Sequence, residues 1–98
     1  MEIDYADEDL KRLATDPSFD GGHSREVVKA FRKRVQLIQA AVDERDFYAL
    51  KSLHFEKLVG DRQGQHSMRL NKQWRLILTL EKRGNGKTVV VIEIADYH

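Results

Sequence analysis

Residues 67 to 81 read SMRLNKQWRLILTLE, with apolar side chains at every second position on both sides of Asn71-Lys72. Successive side chains of a strand point to opposite faces, so this period of two predicts two strands that each turn one apolar face toward a core. Asn71-Lys72 fits a tight connection between them. The polar positions of the alternation include Arg69 and Arg75, which therefore share the other face.

The sequence after residue 81 continues the same pattern. Asn85-Gly86 is a hairpin signal, because both residues accept the positive φ angles of a two-residue turn. Residues 88–95 are rich in β-branched side chains, as is typical of a central strand. Together the three runs predict a three-stranded antiparallel meander.

Two helices are predicted upstream of the meander. The first has acidic residues in its first turn and basic residues in its last, and it ends before Asp16-Pro17. Its apolar residues recur at helical spacing; they are Ala6, Leu10, Leu13 and Ala14. The second helix, over residues 24–43, begins at Ser24, a favourable N-cap residue. Its apolar stripe consists of Val27, Phe31, Val35, Ile38 and Val42.

These elements predict an α+β domain in which two N-terminal helices pack on one face of a small antiparallel sheet. Residues 1–5 also alternate, which permits a short strand without requiring one. A chain of 98 residues has room for one hydrophobic core and not for two. We therefore expect a single domain over residues 1–98, with Arg69 and Arg75 on the sheet face that the helices leave free.

The composition is compatible with a compact domain in a reducing compartment. Hydrophobic residues make up 41% and charged residues 34% of the chain, which is too apolar for a disordered segment. No apolar run approaches the roughly 20 residues that span a bilayer, and Met1-Glu2-Ile3-Asp4 lacks the order of a signal peptide. The absence of cysteine excludes disulfides, thiolate metal sites and thiol nucleophiles. We expect a cytoplasmic protein with no membrane partner.

Charge is distributed unevenly along the chain. Residues 1–20 hold seven acidic residues against Lys11 and Arg12, a net charge of −5, which leaves +6 on residues 21–98. This basic remainder fits a polyanionic partner, although an ordinary mixed-charge surface has the same composition. The polar side of the second helix carries residues that either contact phosphates or are only solvated: Arg25, Lys29, Arg32, Lys33 and Arg34.

Two segments resemble the HigB-like toxins of the RelE superfamily. Residues 58–76 read LVGDRQGQHSMRLNKQWRL, and residues 96–98 read DYH. The toxins have a similar order of Gly-Asp-Arg, Gly, an aromatic residue or His, Ser, Arg, and then aromatic-Arg-aliphatic, with a similar terminal triplet. The resemblance implies a microbial-RNase-like αβ fold and a ribosome-dependent endoribonuclease that cleaves messenger RNA. It also implies a type II toxin–antitoxin system, in which a small helix-turn-helix antitoxin neutralises the toxin.

The resemblance further implies a His and a Lys shortly before Gly-Asp-Arg, and two alignments are open. If Leu58 and Val59 are an insertion, His54 and Lys57 occupy these positions. Without a gap, the positions fall on Glu56 and Val59. Lys57 fits a phosphate contact, and His54 is the weaker candidate.

Metal-free cleavage of RNA needs a base for the ribose 2′-hydroxyl, cations for the charge on the phosphorane and an acid for the leaving 5′-oxygen. His98 suits the acid or the base, because imidazole titrates near neutral pH, and Asp96 would orient it. The planar guanidinium of Arg75 suits the phosphate oxygens. Tyr97 would stack on a base or supply a proton. In a regular strand Tyr97 faces away from Asp96 and His98, so one shared site requires a bend.

The remaining site candidates are basic or imidazole side chains. Lys57 would add positive charge to the catalytic set, and the residues expected to bind RNA are Arg69, His54, His66 and Arg62. The histidines offer no closely spaced pair of metal ligands, so we expect neither a metal nor another cofactor. Residues 84–87, Gly-Asn-Gly-Lys, precede a strand rather than a helix and are therefore a turn, not a phosphate loop.

The leading hypothesis is thus a metal-independent endoribonuclease toxin whose partners are the ribosome, messenger RNA and an antitoxin. One alternative is a non-catalytic RNA- or ribosome-binding module that uses the same basic face. Another is a protein-interaction domain whose basic helix docks an acidic partner. Modules that stack on bases display two or three aromatic residues on adjacent strands, whereas this meander has only Trp74 before Tyr97, which favours phosphate chemistry.

Overall fold

A computed structural model describes residues 1–97 of the chain. In chain order the elements are β1 (Glu2–Tyr5), α1 (Glu8–Thr15), α2 (Arg25–Ala40), α3 (Arg45–Ala49), β2 (Glu56–Lys57), β3 (His66–Arg69), β4 (Trp74–Arg83) and β5 (Gly86–Asp96). One-turn 3₁₀ helices at Lys51–Leu53 and Gly60–Arg62 precede and follow β2. The strands form one sheet in the order β1-β5-β4-β3-β2, and the helices pack on one of its faces.

The predicted meander of β3, β4 and β5 is present, and both of its pairings are antiparallel. The connection between β3 and β4 is closed by Asn71. Its Oδ1 accepts hydrogen bonds from the backbone N–H groups of Gln73 at 2.9 Å and Trp74 at 2.8 Å. An Asn side chain that bonds the backbone two residues further on mimics a backbone turn, which explains why the strands separate at this point of the sequence.

The sheet is larger than the three-stranded antiparallel one that the sequence predicted. β1 adds to β5 in parallel, with Ile3 opposite Val89, and β2 adds to β3 as an antiparallel edge of two residues. The prediction of a purely antiparallel sheet is therefore wrong, whereas the α+β class with helices on one face is confirmed. β1 is the short strand that the alternation of residues 1–5 permitted, whereas β2 has too few residues to show a period of two. Their pairing depends on tertiary contacts, such as the packing of Ile3 and Tyr5 against the core.

Both predicted helices are present, and Ser24 is confirmed as the N-cap of the second. α1 begins after Asp7, whose carboxylate accepts a hydrogen bond from the N–H of Leu10, and it ends before Asp16. α2 begins after Ser24, whose hydroxyl accepts a hydrogen bond from the N–H of Val27. Each cap satisfies a donor that the first turn of a helix leaves without a partner.

α2 ends at Ala40, so the prediction of a helix to residue 43 is wrong. Val42, predicted as the last member of the apolar stripe, lies beyond the helix and is 83% exposed. The N-terminal ammonium of Met1 donates hydrogen bonds to three carbonyls at this end, those of Ile38, Gln39 and Ala41. A cation at the C-terminus of a helix satisfies carbonyls that have no partner within it, so a tertiary contact helps to fix this end.

α3 was not predicted, because five residues are too few to show helical periodicity. Its Phe47 is fully buried, with its ring centroid 5.3 Å from that of Phe55. The core lies between the helices and one sheet face, to which the strands contribute Met68, Leu76, Leu78, Val89 and Val91. None of the helices within residues 1–97 is long and apolar enough to cross a membrane.

Two arginines on the basic side of α2 are engaged in the fold. Arg34 donates a hydrogen bond from Nε to the carbonyl of Arg69 at 3.1 Å, and burial lowers the pKa of its guanidinium. Arg32 donates hydrogen bonds to three carbonyls in and after α1, those of Leu13, Asp16 and Phe19. The basic side of α2 is therefore partly structural and not wholly available to phosphates.

Candidate active site

The sheet face turned away from the helices carries three of the candidate residues, Arg69, Arg75 and Tyr97. It is termed the open face, and its members on β3, β4 and the end of β5 are Ser67, Arg69, Arg75, Ala95 and Tyr97. Arg69 pairs with Arg75, and Arg75 pairs with Ala95. Since alternate residues of a strand share a face, these pairings bring the side chains to the same side of the sheet.

Arg75 lies on the open face in a fixed orientation. Its Nε donates a hydrogen bond to Ser67 Oγ at 2.9 Å, and its Nη2 donates one to the backbone carbonyl of His54. The same Nη2 is 3.7 Å from the carboxylate of Glu56. Only 14% of the side chain is exposed, so Arg75 is not a freely moving surface arginine. A guanidinium that is already oriented loses little conformational freedom when it binds a phosphate.

The ring of Tyr97 lies beside the same guanidinium. The Cζ atom of Arg75 is 5.7 Å from the ring centroid, within the range of a cation–π contact. The N–H of Tyr97 donates a hydrogen bond to the carbonyl of Gln73 at 2.6 Å, so the chain stays attached to this part of the sheet beyond β5. Tyr97 is 39% exposed, which leaves part of the ring accessible to a ligand.

Arg69 is the direct neighbour of Arg75 across the sheet. Its Nη1 is 3.3 Å from Nε2 of His54, and its Nε donates a hydrogen bond to the carbonyl of Asn71 at 3.2 Å. Two adjacent guanidinium groups raise the local positive potential, which favours a phosphate. His54 contacts both arginines, because its ring lies beside Arg69 and its carbonyl accepts from Arg75.

Arg62 lies in the 3₁₀ helix that follows β2. Its Nη2 is 2.5 Å from the carboxylate of Glu93, and its Nη1 donates a hydrogen bond to Gln65 Oε1 at 3.0 Å. Glu93 is opposite Ile77, on the same side of the sheet as Arg75. Arg62 and Arg75 are thus each paired with a glutamate, and a bound phosphate would compete with these carboxylates.

Lys57 and His66 lie away from these arginines. They pair with each other across β2 and β3, while their neighbours in each strand lie on the open face. His66 is 8% exposed and stacks on Phe55, with the ring centroids 5.1 Å apart. Burial, and then the charge of Lys57, lower the pKa of His66, and its Nδ1 is buried without a hydrogen-bond partner in residues 1–97. The structure therefore brings neither residue to Arg75, and His66 packs on the core side of the sheet.

The end of the chain divides between the two faces, as the alternation predicted. Asp96 lies opposite Trp74, and its carboxylate accepts a hydrogen bond from the side chain of Gln73 at 3.1 Å. Tyr97 lies on the open face. His98 is outside the described residues, so its position near Asp96 and its catalytic role stay predictions.

Ser67 and Glu56 contact Arg75, although neither was predicted as a site residue. Ser67 shares a face with Arg69, because the two residues are alternate members of β3. The register of β3 against β4 then places Ser67 beside Arg75, and only this register could have indicated the contact. Glu56 lies in a strand of two residues that no periodicity could show. The only indication in the sequence was the ungapped alignment, which places Glu56 at the position of the family's histidine.

The cluster is suited to an anion. Within residues 1–97 no group of three or more His, Asp or Glu side chains is arranged to hold a metal ion. The ring of Tyr97 and the carboxylate of Glu56 lie beside the guanidinium of Arg75, and Arg69 is its cross-strand neighbour, which fits phosphate binding with acid–base chemistry next to it.

A family model matches the sequence of this chain, and solved structures match its fold. Residues 3–98 match a family model described as the RelE-like toxin of the type II toxin–antitoxin system HigB. The fold is similar to that of a YoeB/ParE toxin from Agrobacterium tumefaciens, with a TM-score of 0.61, 16% identity and all of both chains covered. It is similar to YafQ from E. coli BL21(DE3), with a TM-score of 0.60 and 16% identity over 97% of this chain and 91% of that one.

A YoeB dimer from Staphylococcus aureus has a TM-score of 0.54 and 19% identity, over all of this chain and 97% of that one. No protein of curated function matches the sequence significantly. At such identities the solved structures establish the fold alone. The family model spans residues 3–98, which include both segments that resemble the toxins. The chain therefore belongs to the HigB-like family of RelE-like toxins of type II toxin–antitoxin systems.

Proposed function

We propose that this toxin is a ribosome-dependent, metal-independent endoribonuclease that binds messenger RNA on its open face. The observation that carries the proposal is the fixed guanidinium of Arg75, which has Arg69 beside it. In the reaction the ribose 2′-oxygen attacks the adjacent phosphorus, and the bond from phosphorus to the 5′-oxygen breaks. The products are a 2′,3′-cyclic phosphate and a 5′-hydroxyl end.

Arg75 is the phosphate clamp in this proposal, and Arg69 adds positive charge. A guanidinium is planar, presents paired donors to phosphate oxygens and stays charged at neutral pH. The charge on the phosphorane grows during the reaction, so oriented cations stabilise the transition state more than the ground state. Lys57, at the edge of the sheet, would add to the positive electrostatic potential at the phosphate from a greater distance than Arg69.

Glu56 is our candidate for the base that accepts the proton of the 2′-hydroxyl. Its carboxylate is 3.7 Å from Arg75, so a phosphate bound to that guanidinium would bring the adjacent ribose close to it. The side chain of Glu56 is 57% exposed, which allows the substrate to reach it. His98 or Tyr97 would donate the proton to the leaving 5′-oxygen, and Asp96 would orient His98 if the chain bends after Tyr97.

Other open-face residues would hold the RNA on either side of the cleaved bond. Arg69, the cross-strand neighbour of Arg75, and Arg62, which lies on the same side of the sheet, are the proposed contacts. His54 has less support as a direct contact, because its imidazole lies against Arg69. Arg62 would exchange the carboxylate of Glu93 for a phosphate. His66 has less support as an RNA contact, because it is buried against Phe55.

Membership in a type II family gives this toxin an antitoxin partner. We propose that the antitoxin is a helix-turn-helix protein that silences the enzyme by covering or distorting the open face. The other proposed partners are the ribosome and messenger RNA, which places the reaction in the cytoplasm. The alternative of a docking domain built on the basic side of α2 loses support, because Arg32 and Arg34 bind backbone carbonyls.

The experiment that tests the proposal maps 5′ ends of messenger RNA on purified translating ribosomes. We expect new 5′ ends with the wild type, a loss of about 10²–10³-fold in rate with Arg75→Ala, and unchanged binding in co-sedimentation. Lys29→Ala is the control, because it removes one exposed positive charge from α2. If the wild type binds ribosomes without producing new ends, the chain is the non-catalytic binding module.

The same assay tests the metal-free mechanism. Cleavage should persist in a chelator when polyamines keep the ribosomes intact, since no step of the proposed reaction needs a metal. Recovery of activity only after a transition metal is added would overturn this part of the proposal.

A further inference from the structure

His54 has a backbone conformation that side chains rarely adopt. Its φ of 46° and ψ of 47° lie in the left-handed region, and it is the only non-glycine residue of residues 1–97 with a positive φ. In this region the Cβ of an L-residue crowds the backbone, so the conformation persists only where surrounding contacts enforce it. A strained residue beside a cluster of candidate catalytic groups needs a physical explanation.

The contacts on both sides of His54 enforce the turn. Its N–H donates a hydrogen bond to the carbonyl of Lys51 at 3.1 Å, which closes the 3₁₀ helix that precedes it. Leu53 is 1% exposed and Phe55 is 8% exposed, so the residues before and after His54 are both anchored in the core. The backbone of His54 therefore cannot relax without moving a buried side chain.

The left-handed turn directs the carbonyl of His54 at Arg75, where it accepts a hydrogen bond from Nη2. The carbonyl and the buried hydroxyl of Ser67 hold two different nitrogens of the guanidinium. These two acceptors define the plane of the group, which a single hydrogen bond cannot do. The imidazole of His54 points to the neighbouring Arg69 instead, 3.3 Å from its Nη1.

We infer that His54 is a positioning residue that acts through its backbone: the left-handed turn fixes the guanidinium of Arg75, and the imidazole is not required for the chemical step. The inference rests on the proposed ribonuclease function. It separates two roles that a histidine beside two arginines would otherwise combine, and it explains why a strained turn stands at this position.

Substitutions that differ in backbone preference test the inference. Asn and Gly adopt the left-handed conformation readily, whereas β-branched Val does not. In single-turnover cleavage on pre-bound ribosomes, His54→Asn and His54→Gly should stay within about threefold of the wild-type rate, with the same pH profile. The cleavage rate of His54→Val should fall by about tenfold or more. The rate of His54→Ala should lie between that of the valine variant and those of the Asn and Gly variants, because alanine crowds the left-handed backbone less than valine does. Lys51→Val is the control for adding valine to this exposed segment.

The opposite order would overturn the inference. If His54→Asn and His54→Gly fold but lose about 100-fold or more in rate, the imidazole is required and the histidine has a chemical role. Equal rates for all four variants would show that the turn does not position Arg75.

A second measurement does not depend on cleavage. The Nε–H signal of Arg75 in ¹⁵N NMR, assigned with Arg75→Lys, reports how firmly Ser67 holds the guanidinium. We expect slow exchange with water in the wild type, His54→Asn and His54→Gly, and faster exchange in His54→Ala and His54→Val. If the wild type fails to cleave messenger RNA, the proposed function is wrong, while the NMR comparison still decides whether the turn orients Arg75. Unchanged exchange in every variant would overturn the inference alone.

Discussion

Arg75 is fixed by three chemically different acceptors: a hydroxyl, a backbone carbonyl and a carboxylate. They differ in how easily a ligand could replace them. Ser67 is fully buried and the carbonyl of His54 belongs to an enforced turn, whereas Glu56 is exposed. In the proposed reaction a phosphate therefore competes with Glu56 alone, and the other two contacts keep the guanidinium oriented when RNA binds.

His66 is the residue whose titration should affect stability rather than catalysis. Its pKa is lowered by burial, so the unfolded chain takes up a proton at a higher pH than the folded chain does. The stability that depends on a neutral His66 is complete above the ordinary pKa of 6.5 and is lost as the pH falls toward the lower pKa of the folded state. Replacement by phenylalanine keeps a ring on Phe55 and removes both the titration and the unpaired Nδ1.

His66→Phe should therefore lose less stability on acidification than the wild type does. The measurement is the free energy of unfolding from urea titrations at about pH 7.5 and about pH 5.5, where the wild type should show the larger decrease. If both proteins lose the same amount, His66 is not the source of the acid sensitivity.

For individual residues, the sequence predicted which arginines share a sheet face but not which groups accept their hydrogen bonds. Alternation along β3 and β4 was sufficient to bring Arg69 and Arg75 together. The acceptors of Arg75 could not be predicted, because one depends on strand register, one on a left-handed turn and one on a strand of two residues. None of these leaves a periodic pattern in the sequence.

Among the elements, α2 combines a structural and a solvated set of basic residues. Arg32 donates to three carbonyls in and after α1, while Lys33, the next residue, is exposed. A charged donor that satisfies several carbonyls at a helix end stabilises the connection between two elements. Substitution of Arg32 and of Lys33 should therefore affect stability differently, although both are basic residues of the same helix.

Arg32→Ala should lower the free energy of unfolding by about 2 kcal/mol, because it leaves part-buried carbonyls without a donor. Lys33→Ala, the matched control, should change it by less than about 0.5 kcal/mol. Denaturant titration measures both, and the rate of messenger RNA cleavage per folded molecule should be unchanged in both. A cleavage defect in Lys33→Ala without a loss of stability would show that α2 contacts the substrate or the ribosome.

The long elements were predictable and the short ones were not. α1, α2 and the meander each contain enough residues for periodicity and caps to identify them. β1, β2 and α3 have between two and five residues, and tertiary packing decides their conformation. The end of α2 also depended on a distant group, since the ammonium of Met1 binds carbonyls there.

For the molecule as a whole, binding and chemistry are expected to depend on different amounts of its surface. The net charge of +6 on residues 21–98 is dispersed over the sheet and α2, so many weak contacts can contribute to association with a ribosome. The proposed chemistry is confined to Arg75 and its neighbours at one end of the sheet. A change at that end should therefore reduce cleavage without a comparable loss of ribosome binding.

Deletion of Tyr97 and His98 is the change that tests this separation. Tyr97 contributes one backbone hydrogen bond, to Gln73, and a partly exposed ring, so its loss should cost little stability. Cleavage should fall by about 10²–10⁴-fold, because the deletion removes the proposed acid. Association with ribosomes should survive and should weaken with added salt as it does for the wild type, since it depends on phosphate contacts elsewhere.

His98→Gln is the milder companion variant, because glutamine keeps hydrogen-bonding capacity and removes the titration near neutral pH. It should reproduce most of the loss of cleavage if the imidazole is the acid, and little of it if Tyr97 is. Melting temperature, co-sedimentation at two salt concentrations and mapping of 5′ ends measure the three properties separately. If the truncated protein produced new 5′ ends at the wild-type rate, neither residue would be catalytic. The acid would then have to be sought among the other groups of the open face and the β2 edge, with Lys57 first.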